Sequence, residues 1–474
     1  MTTISNDILD KLKTAAGPKG WSMDAQELEP HLVEWRGRWQ GRTPILLKPS
    51  SSAEISDILK ICNQYGCKIV PQGGNTGLVN GGLPDESGDE VLLSLKRFNK
   101  DISVDPVNNT ITADAGVTVK HLQDAARDHD RLFPLSLASE GSCTVGGIIS
   151  TNAGGVHVLR YGTTRDLALG LEAVLPTGEI ISDLSGLRKD NTGYNLSQLL
   201  IGAEGTLGIV TRATFKLYPA IKQRFVMMVG VDDAKQATTL LQEAKAFAGD
   251  QLSAFELMPQ SGIEIVLKHI NGTSAPFPSA ANWFVLIEFG LTATEDHFAE
   301  RLENWLALQF ETARIMDGTL SQNERQAEAL WHLRETMSEA QKLESASIKH
   351  DISVPISKID TFLTRADAAA KTICPTVRPM PFGHLGDGNL HYNLSQPLDM
   401  DANQFMALED AFNAVVHDVV MEIGGSISAE HGIGKLKIDE LEKRKKPADL
   451  AAMRAIKKAL DPNGIINMDR ILKG

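Results

Sequence analysis

Apolar positions change period along the chain. In SAEISDILKICNQYG (52–66), Ile55, Ile58, Leu59 and Ile61 recur at helical spacing behind Ser51-Ser52, which can cap the helix. Lys68-Ile69-Val70 then reads as a strand that enters a glycine-rich loop. VLLSLKRF (91–98) and TITADAG (110–116) predict further strands, and VKHLQDAARDHD (119–130) a helix. Such alternation argues an α/β lobe, ending near Tyr218-Pro219 after GIVTRATFKLYP. Beyond residue 220, FVMMVGV (225–231), a helical ATTLLQEAKAFA (237–248) and WFVLIEFG (283–290) predict an antiparallel sheet with helices on one face. Long amphipathic helices are predicted over 323–342 and 401–423, the second stopped by Gly424-Gly425. The C-terminal segment predicts one helix, halted by Pro462, and an extended tail. The expected domains are 1–219, 220–425 and a returning segment 426–474, without internal repeats or a low-complexity linker.

Composition narrows the class. A chain of 474 residues suits about three domains of ~150 residues, or two larger ones. With 42% hydrophobic and 23% charged residues, disordered, collagen-like and disulfide-scaffold classes are excluded. The net charge is 47 − 60 = −13, which repels a phosphate backbone. The densest basic run, Lys443-Arg444-Lys445-Lys446, lies among Asp439, Glu440, Glu442 and Asp449, and reads as a solvated helix face. No nucleic-acid partner is expected. Cys62, Cys67, Cys143 and Cys374 lack CxxC spacing and suit a reducing cytosol, so a cytoplasmic location is expected. The N-terminus shows no signal-peptide core, and no stretch of 18 uncharged apolar residues predicts a transmembrane segment.

The 40 glycines cluster. PQGGNTGLVNGG (71–82) carries Gly73, Gly74, Gly77, Gly81 and Gly82 with Asn75, a loop able to turn several backbone N–H groups toward one anion. SEGSCTVGGIISTNAGG (139–155) and GAEGTLG (202–208) add two more small-residue clusters. Three in one lobe suggest backbone wrapped around a large, planar, phosphorylated ligand. Neither GxGxxG opening a helix nor GxxxxGK[ST] occurs, which disfavours a nicotinamide or ATP and leaves a flavin.

PQGGNTG, GSCTVGGIISTNAGG and YNLSQLLIGAEGTLGIVT resemble the flavin-binding half of the vanillyl-alcohol-oxidase/PCMH-type flavoproteins. Over roughly residues 40–474 the chain is similar to the FAD-dependent D-2-hydroxyacid dehydrogenases, in particular the D-2-hydroxyglutarate dehydrogenase branch. The resemblance implies an α+β fold: a PCMH-type, two-subdomain FAD-binding lobe plus an antiparallel-sheet-and-helix substrate (cap) domain. It implies that Gln72, Gly73, Gly74, Asn75, Thr76, Gly77 and Leu78 hold the pyrophosphate. Gly141, Ser142, Gly146, Gly147, Asn152, Ala153 and Gly154 would line the flavin, with Gly205, Ile209 and Asn467. Asn80 replaces a usual glycine; because Asn tolerates positive φ, the turn is expected to survive. No His lies in the first glycine loop, so the FAD is expected to be non-covalent.

The sharpest chemistry lies in GHLGDGNLHYN (383–393). His384 and His391 flank Gly386-Asp387-Gly388, a strong turn that could fold two imidazoles side by side as metal ligands. In SAEHGIGK (428–435), Glu430 and His431 diverge if extended, so one can face a metal and the other a substrate. Two His and a carboxylate leave coordination positions open, a catalytic pattern. The resemblance assigns His384, His391 and Glu430 to a divalent metal, expected to be zinc, and His431 to the general base. Asn393 shares the face of His391 and is expected at the substrate.

Arg334 and Ser338 share a helix face at one-turn spacing, and Lys349 follows. In the hydroxyglutarate branch matching Arg, Thr and Lys residues grip the distal carboxylate, so the resemblance implies a diacid: D-2-hydroxyglutarate first, D-malate next, D-lactate third. The expected reaction is metal-assisted deprotonation with hydride transfer to FAD, giving the 2-oxo acid. The rivals are an alkyl-glycerone-phosphate-synthase-like transferase, against which Glu430 and the hairpin argue, and a non-catalytic flavin carrier. The expected electron acceptor is electron-transfer flavoprotein, a quinone or a cytochrome. The oligomeric state is open, with a homodimer compatible.

Overall fold

The computed structural model describes residues 4–34, 36–279 and 281–474. It divides into two compact units. One comprises Met1–Gly155, Tyr161–Ala220 and Glu430–Gly474; the other comprises Val156–Arg160 and Ile221–Ala429.

The first unit holds two main sheets. Strands β1 (Trp21–Ser22), β2 (Leu46–Leu47), β3 (Lys68–Gln72) and β4 (Glu90–Ser94) run in the order β1-β2-β4-β3. The β2–β4 and β3–β4 pairs are parallel: the helix Ser52–Tyr65 carries the chain over from β2 to β3, and the stretch 73–89 carries it from β3 to β4. Ser51 caps that helix through the Glu54 amide, and Gly66 closes it at φ +67°. Its Ile55, Ile58 and Leu59 bury against Ile69, Val91 and Leu93. The C-terminal tail returns here, with Ile466 bridging Ile69 in parallel. The second sheet contains β5 (Ile102–Asp105), β6 (Thr110–Asp114), β8 (Ala168–Val174), β9 (Ile180–Ser182) and β10 (Ile209–Lys216). Its order is β5-β6-β10-β8-β9 and it is antiparallel; β7 (Arg131–Leu132) pairs separately with β11 (Tyr218–Pro219). The short helix Val145–Thr151 packs Val145, Ile148 and Ile149 on this sheet's apolar face.

The second unit is built on one seven-stranded antiparallel sheet: β12 (Gln223–Val231), β13 (Leu252–Pro259), β14 (Trp283–Leu291), β15 (Asp317–Leu320), β16 (Ser347–Ser353), β17 (Arg378–His384) and β18 (Asn389–Ser395). The order is β15-β12-β14-β13-β17-β18-β16. Strict alternation sorts its two faces. Val229, Leu257, Ile287 and Leu390 join a core with the helices Ala234–Ala248, Ile359–Ile373 and Glu409–Glu422. Met228, Met258, Leu286 and Phe382 join another with the helices Gln260–His269 and Glu324–Glu335. The expectation of helices on one face is thus corrected. Central strands such as β13 are buried along their whole length, and a strand buried on both faces cannot signal a single covered face.

Two long helices are also shorter than their periodicity predicts. The 323–342 stretch breaks at Thr336, whose hydroxyl bonds back to the His332 carbonyl at 2.6 Å. The 401–423 stretch breaks at Ala407-Leu408.

Candidate functional site

In the first unit the glycine loops meet main chain to main chain. A Cβ at Gly73 would lie 2.5 Å from Thr144 Oγ1, and one at Gly74 would lie 2.1 Å from the Ser142 carbonyl oxygen. Only glycine allows this approach. By contrast, a Cβ at Gly77 or Gly141 would meet nothing within 4 Å. Asn75, Asn80 and Asn152 adopt φ of 60°, 58° and 49°, so the turn at Asn80 is made without glycine. Thr144 Oγ1 and Asn467 Oδ1 are buried without a hydrogen-bond partner among the described residues. Tight glycine cradles beside open ones, with orphaned polar atoms, fit a large polar cofactor that contacts main chain.

Several expected cofactor residues have side chains committed elsewhere. Gln72 Nε2 donates to the carbonyls of His31 and Gly82, both at 2.9 Å, and Oε1 lies 2.6 Å from His31 Nδ1. Asn75 donates to the carbonyls of Pro30 and Val33. Gln72 can therefore offer a ligand main chain only, Asn75 keeps its side-chain oxygen, and the Leu78 carbonyl is taken by Arg36. Pro30, His31, Val33 and Arg36, which grip this loop, belong to no glycine motif and escape pattern reading. Gly146 packs on Ala115, and Ile209 is core. Asn152 Oδ1 accepts from the Arg165 amide, and Ala153 follows it as the chain leaves the helix. Thr76 is half-buried, Ser142 is exposed, Gly147 lies within the same helix and Gly154 follows its end. Gly205 packs on Pro71 at φ +70°. Asn467 Nδ2 donates to the carbonyls of Gly81 and Glu204.

Glu430 and His431 also lie in the first unit, immediately after its boundary at residue 430. Their loop is anchored on Glu204, which accepts the Ile433 and Gly434 amides, both at 2.7 Å.

In the second unit the β17–β18 hairpin turns through 385–388 and places the His384 and His391 rings 5.7 Å apart between centroids. His384 Nδ1 lies 2.7 Å from Glu256 Oε1 on neighbouring β13. The ring is thereby fixed, so a metal would be met by its other nitrogen. Glu256 Oε2 accepts Arg334 Nε at 2.8 Å. Burial pushes the Glu256 carboxyl up, but His384 and Arg334 outweigh it and hold the carboxyl down at about 2. Arg334 is buried and stacks over the Phe382 ring at 4.9 Å. Asp351 is paired across the sheet with His391, its carboxylate 4.0 Å from Nδ1. Burial pushes nearby Asp387 up to about 6.

Asn393 donates to Gln341 Oε1 at 2.8 Å, deep in the unit, and Gln341 Nε2 is buried without a hydrogen-bond partner among the described residues. Lys349 pairs across the sheet with Asn393 and is exposed. Ser338 is exposed and lies past the break at Thr336, so it does not share the buried face of Arg334. Sequence reading missed Glu256, Asp351 and Gln341. A lone acid in the otherwise apolar LSAFELMP (252–259) was the available signal for the first.

Comparisons with known proteins bear on both units. The FAD binding domain model matches residues 43–183, and the FAD linked oxidases, C-terminal domain model matches residues 221–471. The D-2-hydroxyglutarate dehydrogenase of Arabidopsis thaliana is 37% identical over 97% of this chain and 80% of its own length. That of Bos taurus is 36% identical over 99% of this chain and 84% of its own. The chain belongs to the D-2-hydroxyglutarate dehydrogenase family of FAD-linked oxidases. As a member it is an FAD-dependent oxidoreductase acting on the CH–OH group of a D-2-hydroxy acid. The family fold is shared with substrate-bound p-cresol methylhydroxylase, at a TM-score of 0.76 and 15% identity over 99% of this chain and 97% of that one. No helix among the described residues is long and apolar enough to cross a membrane. Family membership corrects one expectation: both dehydrogenases named above are mitochondrial, against the cytoplasmic location inferred from free cysteines. Four buried free thiols are compatible with either compartment.

Proposed function

We propose that this enzyme oxidises D-2-hydroxyglutarate to the 2-oxo diacid, with D-malate the next-best substrate and D-lactate a poor one. The observation that carries this reading is the buried Arg334–Glu256–His384 chain. A guanidinium and an imidazole fixed by one carboxylate supply a cation for a distal carboxylate beside a preset metal ligand. Lys349 and Asn393 extend the polar row on the same sheet face, whereas Ser338, exposed past the break at Thr336, stands outside this row.

His384, His391 and Glu430 are assigned as ligands of a divalent metal, zinc by donor chemistry. Bound there, the metal would lower the pKa of the substrate hydroxyl, and FAD would supply the hydride acceptor. His431 takes the hydroxyl proton, and Arg334 holds the far carboxylate so that the Cα–H is oriented. The main chain of 72–78, with Gly141, Gly205 and Asn467, holds the cofactor. Electrons leave to a soluble carrier such as an electron-transfer flavoprotein, or to a quinone or cytochrome.

The test is anaerobic mixing of the purified flavoprotein with each acid. D-2-hydroxyglutarate should bleach the flavin fastest, and a chelator should stop it. His431→Ala should keep the flavin spectrum and lose turnover by a factor on the order of 1,000. Arg334→Ala should raise KM for the diacid far more than for D-lactate. Equal losses on both acids would remove the diacid assignment.

A further inference from the structure

We infer that Glu204, the acidic residue inside the third glycine cluster, is a positioning residue that holds the Glu430–His431 loop in register with the flavin-binding main chain. This rests on the reading of His431 as the base.

The geometry is overdetermined. Glu204 is buried and adopts φ +50°, a conformation costly for a side-chain-bearing residue. Its own main chain is pinned at both ends: the amide donates to the Ser150 carbonyl at 2.7 Å, and the carbonyl accepts Asn467 Nδ2 at 2.6 Å. Ser150 belongs to the helix of the second glycine cluster, and Asn467 to the returning tail. The carboxylate therefore projects from a rigid platform made of cofactor-binding segments. Each oxygen takes one amide, Oε1 from Ile433 and Oε2 from Gly434. Among described residues no cation is recorded in hydrogen-bond contact with it, so two adjacent main-chain N–H groups solvate a buried charge.

The loop is shaped to accept this grip. Gly432 adopts φ +82°, and a Cβ there would lie 2.6 Å from Glu204 Oε1. Gly434 adopts φ +49°, with a Cβ 2.0 Å from the Val79 carbonyl, and the Lys435 amide donates to that same carbonyl. Val79 belongs to the first glycine loop. So the SAEHGIGK segment is bound on one side by the third glycine cluster and on the other by the first. Only Gly432 separates His431 from the nearer clamped amide, that of Ile433. Burying a carboxylate in a cofactor lobe is expensive, and a neutral residue would fill the space. The carboxylate's particular contribution is to fix two consecutive amides, and thereby the direction of the side chains just before them.

Glu204→Gln tests this in the full-length flavoprotein. Its amide retains one acceptor oxygen and turns an NH2 toward the other N–H, so one of the two bonds is lost. FAD content and visible spectrum should match the parent, while flavin reduction by D-2-hydroxyglutarate per bound flavin should fall on the order of 100-fold. Exchange at the Ile433 and Gly434 amides, read by hydrogen exchange, should speed up at least about tenfold. Gly432→Ala approaches the same contact from the loop side and should give the same split, and it decides the matter if Glu204→Gln does not fold. An unchanged rate per bound flavin, or a loss of FAD that accounts for the whole activity loss, would overturn the inference. If the parent enzyme itself fails to bleach with any D-2-hydroxy acid, the functional reading falls. The two amide exchange rates then decide the role of Glu204 alone.

Discussion

At the scale of single residues, the cost of burying charge decides which side chains can serve the site. Glu256 is fully buried and carries the charge that lets Arg334 and His384 stay in the interior. Removing one partner from such a set leaves uncompensated charge behind. Glu256→Gln should therefore destabilise the second unit by roughly 3 kcal/mol, measured by denaturant unfolding. It should also loosen the His384 ring and weaken binding at the proposed metal site. A variant as stable as the parent would show that Arg334 does not need its carboxylate. This level was half legible in the sequence. Asn80 at positive φ follows from what its side chain tolerates. That Gln72 spends its whole amide on His31 and Gly82 does not follow, because its partners lie far off in the chain and no local pattern encodes them.

At the scale of elements, the hairpin β17–β18 shows what periodicity delivers. The Gly386-Asp387-Gly388 signal marked the turn, and register then brought His391 opposite Phe382 and Asp351. Helix lengths were less legible, since apolar spacing continues through Thr336 and Leu408 although the helices do not. At Thr336 the cause is a hydroxyl competing for a main-chain carbonyl, an interaction that hydrophobic spacing does not register. The number of covered sheet faces was likewise hidden, because fully apolar strands read alike whichever way they face. Gly388 tests the hairpin directly. It adopts φ +87°, and a Cβ there would lie 2.3 Å from the Val354 carbonyl at the end of β16. Gly388→Ala should lower the melting temperature of the second unit by several degrees, since strain and clash together exceed about 2 kcal/mol. Binding at the proposed metal site should fall with it. An unshifted transition in calorimetry would mean that the turn relaxes freely and that the imidazoles are not set by it.

At the scale of the whole molecule, Glu288 in the second unit, joined there by Glu256, and Glu204 in the first are buried carboxylates of opposite tendency, and acid should act on them in opposite directions. In the second unit Glu288 accepts Trp331 Nε1 and Arg224 Nε, both at 2.8 Å, and faces His157 at 3.3 Å; Arg224 also meets Glu324. Burial pushes Glu288 up, yet His157 and Arg224 outweigh it and hold the carboxyl down at about 2. Its folded pKa lies below the unfolded value near 4.5, so its stabilisation is complete above that value. It is lost as pH falls toward 2, an effect of about 3 kcal/mol. Glu204 in the first unit has the contrary sign: burial pushes its carboxyl up despite two amide bonds. Protonation there favours the folded form, so lowering the pH removes a penalty. Acid should therefore open the second unit before the first. At pH near 3, amides of the β12–β14 core such as Val285 and Ile287 should exchange faster than those of Ile69 and Leu93, which at neutral pH share comparable burial. Glu288→Gln should flatten the pH dependence of the second unit alone. If Ile69 and Leu93 lost protection first, the buried carboxylates would not be what sets the order, and the net charge of −13 being titrated would have to be examined in their place.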